Sequence, residues 1–207
     1  MRYVGDHRRQ TRSRIVENAS YGLRQNGAEG LSVVELMKLA GLTHGGFYSY
    51  FDSRAALVGE AIAFAMDQMV ERWKKLANGK ANEDRFEALI ADYLSCRHRD
   101  NPGQGCALPA LAADVARSSP SERRALASKL EKMIDVLVEV LPADGPQQAR
   151  TIATGAIATM VGSIVLSRAV GAGKFSDDIL DAGRMTAGGR THKPQRRTAK
   201  AMTCRLR

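Results

Sequence analysis

The chain is expected to be all-helical, and three features of the sequence agree on this. Apolar residues recur at three- and four-residue spacing through most of its 207 residues, strand-like alternation is almost absent, and aromatic residues make up only 5% beside abundant Ala and Leu. The length suits one sizeable core or two small ones. The expected arrangement is an N-terminal three-helix bundle over residues 1–53, a larger C-terminal helical domain over 54–183, and a tail over 184–207.

The first helix is expected over residues 8–27. Ile15, Ala19 and Leu23 form a stripe at four-residue spacing, and Gly27 is a plausible terminator. Arg8, Arg9, Arg12 and Arg14 crowd its beginning. Such a cluster suits phosphate or minor-groove contact, with a solvated charge run as the plainer alternative.

Residues 31–57, LSVVELMKLAGLTHGGFYSYFDSRAAL, organise the rest. Ser32 and Glu35 form a capping box that starts a helix at Val33. Leu36 and Ala40 share a face, and Gly41 supplies the left-handed residue that ends it. After the Gly41-Leu42 turn, Thr43 is expected to cap a second helix. In that helix four-residue spacing puts Phe47 and Phe51 on one side and His44 and Tyr48 on another. Two glycines, Gly45 and Gly46, cost roughly 1 kcal/mol each in so short a helix, so their use is expected to be close backbone approach to a partner. Ser53 is expected to cap the next helix, beginning at Arg54. Two short helices joined by a tight turn make a helix-turn-helix.

These residues resemble the TetR-type bacterial transcriptional repressors. The likeness runs through Ala40-Gly41-Leu42-Thr43-His44-Gly45-Gly46-Phe47-Tyr48-Ser49-Tyr50-Phe51, then Arg54 and Leu57. It departs at His44, where Lys, Arg or Pro is commoner, at Arg54 in place of Lys, and at Met37-Lys38. The resemblance implies double-stranded DNA as partner, a palindromic operator and a homodimer. On the residue chemistry, His44 and Tyr48 face the groove, Gly45 and Gly46 let the backbone approach, and Tyr48, Tyr50 and Arg54 reach phosphates. Thr43 joins this set, and Ser32 and Val33 would meet the opposite strand, by the same resemblance.

Further on, a long helix is expected from Arg54 to Leu76, with Leu57, Ala61, Phe64, Ala65, Met69, Trp73 and Leu76 along one side. Another should begin at Asn82 and carry Phe86, Leu89, Ile90, Tyr93 and Leu94, before a Pro/Gly-rich break at Asp100 to Gly105. Cys106 then precedes a helix expected from Ala107 to Ser118. It is a possible redox sensor, since a helix start and nearby Arg97, His98 and Arg99 favour a thiolate; packing as a small hydrophobe is the alternative. Ser119-Pro120-Ser121-Glu122 starts a helix expected to reach Leu141 and bury Leu126, Leu130, Met133, Ile134, Leu137 and Leu141.

A helix from Gln147 to Val170 follows, uncharged from Thr151 to Leu166. Sixteen uncharged residues are short for a membrane span, which needs about 20, so a buried helix is expected, with Ala153, Ala156 and Gly162 allowing close subunit packing. Ser176 is expected to cap a last helix, carrying Ile179 and Leu180 and cut short by Gly183, Gly188 and Gly189. Eight Lys or Arg and no acid lie between Arg184 and Arg207, so this tail accounts for nearly all of the formal net charge of +9 and is expected to be disordered.

The expected function is a ligand- or redox-responsive repressor. The alternative is an effector-independent architectural DNA-binding protein, which the basic tail would suit. A small-molecule effector would bind around Trp73, Phe86, Tyr93, Met133 and Met160. No catalytic constellation, metal-ligand spacing or cofactor motif stands out, so neither an enzyme nor a metal or cofactor is expected. A charged N-terminus without an apolar core segment and three irregularly spaced cysteines suggest the cytoplasm and no membrane.

Overall fold

A computed structural model describes residues 2–78, 80, 82–141 and 145–189. Among them there is no strand. The helices are α1 (Arg2–Asn26), α2 (Val33–Leu39), a 3-10 helix (His44–Ser49), α3 (Arg54–Asn78), α4 (Asn82–Tyr93), α5 (Cys96–Asp100), a 3-10 turn (Pro102–Gln104), α6 (Leu108–Ala116), α7 (Pro120–Val138), α8 (Pro146–Ala169) and α9 (Lys174–Ala187). The fold is all-α. Its two compact units interleave in sequence: the chain up to Glu71 joins Asn101–Met133, and Arg72–Asp100 joins the chain from Ile134 onward.

The first unit is built on α1. Ile15, Ala19 and Leu23 are buried as the spacing predicts, together with Leu36, Met37, Phe47, Phe51 and Leu57. The helix starts well before residue 8, since Asp6 bonds to Arg9 and Gln10 and sustains an extra turn. Gly27 ends it at φ +79°, its N–H on the Leu23 carbonyl at 2.8 Å. Nearby, the buried Arg24 donates to the Ser20 carbonyl at 3.0 Å and to the Gly105 carbonyl at 2.6 Å. At Gly103 a Cβ would lie 2.6 Å from the Tyr21 ring, so the 102–105 turn approaches α1 closely at this glycine.

Elsewhere the buried faces shift. Along α3, Ile62, Met66 and Val70 are buried beside Leu57, Ala61, Ala65, Met69 and Trp73, whereas Phe64 and Leu76 are half-exposed. Ser119 and Glu122 close their capping box, and the Glu122 carboxyl is held below its usual range by hydrogen bonds from Ser119. Yet α7 stops at Val138, short of Leu141, which precedes Pro142 and is thereby pushed away from helical torsions. Leu126, Leu130 and Leu141 are only half-buried, while Val136 is buried.

The second unit holds α4, α5, α8 and α9. Phe86, Leu89, Ile90, Tyr93 and Leu94 are buried as expected. The short α5 was not anticipated. Its end is held from α8, where Arg168 donates to the carbonyls of Arg99 at 3.0 Å and His98 at 2.6 Å. Arg99 pairs with Asp100 at 2.7 Å and reaches α9 through Ser176 at 2.9 Å and Asp177 at 2.6 Å.

Ser176 therefore does not cap α9. The helix begins after Gly173, and the buried Ser176 hydroxyl donates to the Ser167 carbonyl at 2.7 Å. Gly183 does not cut the helix short either: a Cβ there would fall 2.3 Å from Ser163 Oγ and 3.1 Å from Leu94 Cδ1, so it is the point where α9 closes on its neighbours. The helix ends at Ala187, followed by Gly188 and Gly189, the latter at φ +70°. Arg184 to Ala187 are thus helical rather than tail, and the tail from residue 190 lies outside the described residues. With 24 residues, α8 is by length and composition apolar and long enough to cross a membrane, longer than its uncharged run suggests. Its Ala149, Ala153, Ala156, Ile157, Met160 and Ile164 are nonetheless buried inside this unit.

Candidate nucleic-acid interface

The site begins at the α2 N-terminus. Ser32 Oγ accepts from the Glu35 amide at 3.3 Å, and the Glu35 carboxylate accepts from the Ser32 amide at 2.7 Å. These bonds hold the Glu35 carboxyl below its usual range. The reciprocal box fixes where α2 starts, leaving Ser32 exposed and Val33 half-exposed. At the other end Gly41, at φ +70°, donates to the Lys38 carbonyl at 2.9 Å and turns the chain.

The second element is a 3-10 helix, not the α-helix that four-residue spacing predicts. Thr43 stands at its N-cap position, but its side chain makes no capping bond. The sorting of faces still holds. Phe47 and Phe51 are 1% and 3% exposed with ring centroids 5.8 Å apart, whereas Tyr48 is 73% exposed and His44 is exposed. Tyr48 packs edge-on against Phe47 at 5.2 Å, which orients the outward ring on the buried one. A Cβ at Gly45 would meet nothing within 4 Å, and one at Gly46 only Met37 Cε at 4.0 Å. Neither glycine has positive φ. Packing within the chain therefore does not require them. Tyr50 is half-buried.

Arg54 has a role the sequence did not reveal. Its guanidinium donates to the Leu31 carbonyl at 2.9 Å and to the Ala28 carbonyl, tying the loop before α2 to the first turn of α3. Ser53 caps that turn through the Ala56 amide at 3.1 Å. Arg8 and Arg12, expected among the phosphate contacts, also turn to backbone: Arg8 donates to the Ser49 carbonyl, and Arg12 to the Tyr50 carbonyl at 3.4 Å.

The remaining candidates lie apart from this surface. Cys106 is fully buried, two residues before α6. Burial lowers the pKa of Arg24, an effect partly offset by Cys106. Trp73, Phe86, Tyr93 and Met160 are buried, Met133 is buried in the first unit, and the Trp73 and Tyr93 rings lie 5.8 Å apart. Within the first unit a cleft of about 880 Å³, of ligand size, opens between the start of α3 and the facing ends of α6 and α7, with Val58, Ile62, Val115 and Leu126 in its wall. Missed by the sequence reading is His98. It is buried, its Nδ1 is 2.7 Å from the Tyr93 carbonyl, and its ring meets that of Tyr93 edge-on at 4.5 Å. Burial pushes its pKa down to about 4, with the Tyr93 hydrogen bond opposing and Arg168 and Arg72 adding to the depression. The sequence offered it only as one of the basic neighbours of Cys106, with no sign of its burial. Among the described residues no cluster of His, Cys, Asp or Glu is placed to hold a metal ion.

A box-capped helix, a glycine turn and a short helix showing polar side chains above a buried aromatic footing define a helix-turn-helix DNA-binding protein. Residues 15–61 match the sequence model of the bacterial regulatory proteins of the tetR family. An uncharacterized HTH-type transcriptional regulator of Mycobacterium tuberculosis is 26% identical over 165 residues, covering 76% of this chain and 84% of that protein. Among solved structures, the reduced form of NemR from E. coli has a TM-score of 0.71 at 21% identity, covering 87% of this chain and 96% of that one. A TetR transcriptional regulator from Chloroflexus aurantiacus has a TM-score of 0.74 at 20% identity, covering 89% and 95%. Over residues 15–61 the chain carries the DNA-binding helix-turn-helix that this family model describes, and over most of its length its fold is similar to that of TetR-family regulators. The proteins it is similar to are transcriptional regulators, which are not enzymes.

Proposed function

We propose that the protein is a dimeric one-component repressor that binds a palindromic operator and releases it in response to an effector. The observation that carries this reading is the exposure of His44 and Tyr48 above buried Phe47 and Phe51. His44 and Tyr48 would contact the major groove and its phosphates, Gly45 and Gly46 would admit the duplex close to the backbone, and Ser32, Val33, Thr43 and Tyr50 would flank it. Arg54 would serve chiefly by holding the loop before α2.

A palindrome needs two copies about one DNA turn apart, roughly 34 to 36 Å. Support for a dimer comes from the outward residues of the second unit. Ile152, Val165, Leu166 and Val170 on α8 and Phe175 and Met185 on α9 are exposed and apolar, and at Gly155 and Gly162 a Cβ would meet nothing within 4 Å. The small residues Ala153 and Ala156, expected at this interface, are instead buried within the unit. An effector would bind near Trp73, whose indole N–H is buried with no hydrogen-bond partner among the described residues and would be satisfied by a ligand acceptor. Between ligand binding and Cys106 oxidation, the burial of Cys106 favours the ligand. Such a regulator would work in the cytoplasm.

Selection of duplexes from a random-sequence pool, followed by footprinting, tests the reading. Protection of one short palindrome supports it. Sequence-independent coating at physiological salt would instead point to an architectural DNA-binding protein.

A further inference from the structure

The two arginines that α1 sends toward the reading head end on its backbone, at the C-terminal end of the 3-10 helix. The last carbonyls of a helix have no partner within it and carry partial negative charge, so a cation placed there both satisfies and orients them. Arg8 takes the Ser49 carbonyl and Arg12, one turn later, the Tyr50 carbonyl at 3.4 Å. Arg12 does more. Its guanidinium carbon lies 4.7 Å from the centre of the Phe51 ring, and its Nη2 pairs with Glu60 of α3 at 2.5 Å. One guanidinium thus meets the end of the reading helix, the buried ring that anchors it and the helix that follows it.

We propose that Arg12, braced by Glu60, is a positioning residue for DNA recognition: it sets the angle at which the His44–Ser49 helix presents His44 and Tyr48, and does not itself neutralise a phosphate. Its three contacts use the fork, the flat face and the charge of the guanidinium together, a combination a lysine ammonium cannot reproduce. The inference rests on reading this short helix as the part that contacts DNA, and it makes Glu60, an acid close to the reading head, an aid to binding rather than a hindrance.

The experiment compares the parent with Arg12→Ala, Arg12→Lys and Glu60→Ala. Each is titrated across a salt series against the best duplex the parent recovers from a random-sequence pool and against a scrambled duplex of the same length. Positioning predicts that Arg12→Ala lowers the ratio of specific to scrambled binding about tenfold, the size of a lost cation-π contact with its hydrogen bond. Arg12→Lys should fare nearly as badly, Glu60→Ala should lower the same ratio, and the slope of log affinity against log salt should stay at the parent value. A phosphate contact predicts the reverse: a slope shallower by about 0.9, rescue by Lys, and tighter binding by Glu60→Ala. That pattern would overturn the proposal. Hydrogen exchange of the free protein decides independently of DNA, since the amides of Tyr50 and Phe51 should exchange faster in Arg12→Ala while those of α1 do not; unchanged exchange would also overturn it. Failure of the parent to select any duplex would count against the DNA-contact reading, with the exchange result still judging the brace.

Discussion

His98 shows what burial does to one side chain in this protein. Held neutral against the Tyr93 carbonyl, it has a pKa near 4 in the fold, against an ordinary value of 6.5. A base whose folded pKa is depressed contributes its full stability above the unfolded pKa, and loses it as pH falls from 6.5 toward 4. The loss amounts to about 3 kcal/mol when complete. Denaturant titrations of the parent and His98→Asn at about pH 7.5 and about pH 4.5 should therefore show a smaller acid-side loss in the variant, and identical losses would refute the assignment. Arg99 makes a second test. Its guanidinium is buried and bonded to Asp100, Ser176 and Asp177, and Arg99→Ala strands the groups it joins. The expected cost is about 2 kcal/mol, discounted because Asp177 is partly exposed, and urea midpoints will check it.

Among the elements, those legible in the sequence depend on partners within four residues. The Ser32/Glu35 and Ser119/Glu122 boxes and the Gly27 and Gly41 terminators fall where local spacing puts them. What the spacing does not disclose depends on distant partners. Arg8 meets Ser49 across 41 residues, Arg12 meets Tyr50 across 38, and Arg54 meets Leu31 across 23, so the sequence offered all three as phosphate contacts, with a solvated charge run as the alternative for Arg8 and Arg12. Ser176 and Gly183 were read as a cap and a terminator because both residue types commonly do those jobs, whereas here tertiary contacts with Ser167 and Ser163 decide. Two element-scale outcomes follow. Gly183→Ala should destabilise the fold by about 1–3 kcal/mol through its clash with Ser163, measurable by thermal melts. Gly45→Ala meets open space, so its stability should hold or rise by up to about 1 kcal/mol while DNA affinity falls. Equal affinity in a stable Gly45→Ala protein would contradict the close-approach reading.

At the scale of the molecule, a reading head works on a palindrome only when a second copy is held in register. The apolar residues left outward on α8 and α9 are the surface proposed for that contact. A charge placed in a dimer interface costs far more than one on open surface. Leu166→Glu should therefore shift the protein toward monomer in analytical ultracentrifugation without lowering its helical content. Persistence of the dimer would place the interface elsewhere.

The central claim is that the short helix over Phe47 and Phe51 contacts DNA through His44 and Tyr48. Fluorescence anisotropy on the selected duplex, with the His44→Ala/Tyr48→Ala double variant beside the parent, tests it most directly. Both side chains are exposed and should leave the melting temperature unchanged, while affinity is expected to drop by at least about tenfold. A double variant that melts like the parent and binds the duplex equally well would contradict it.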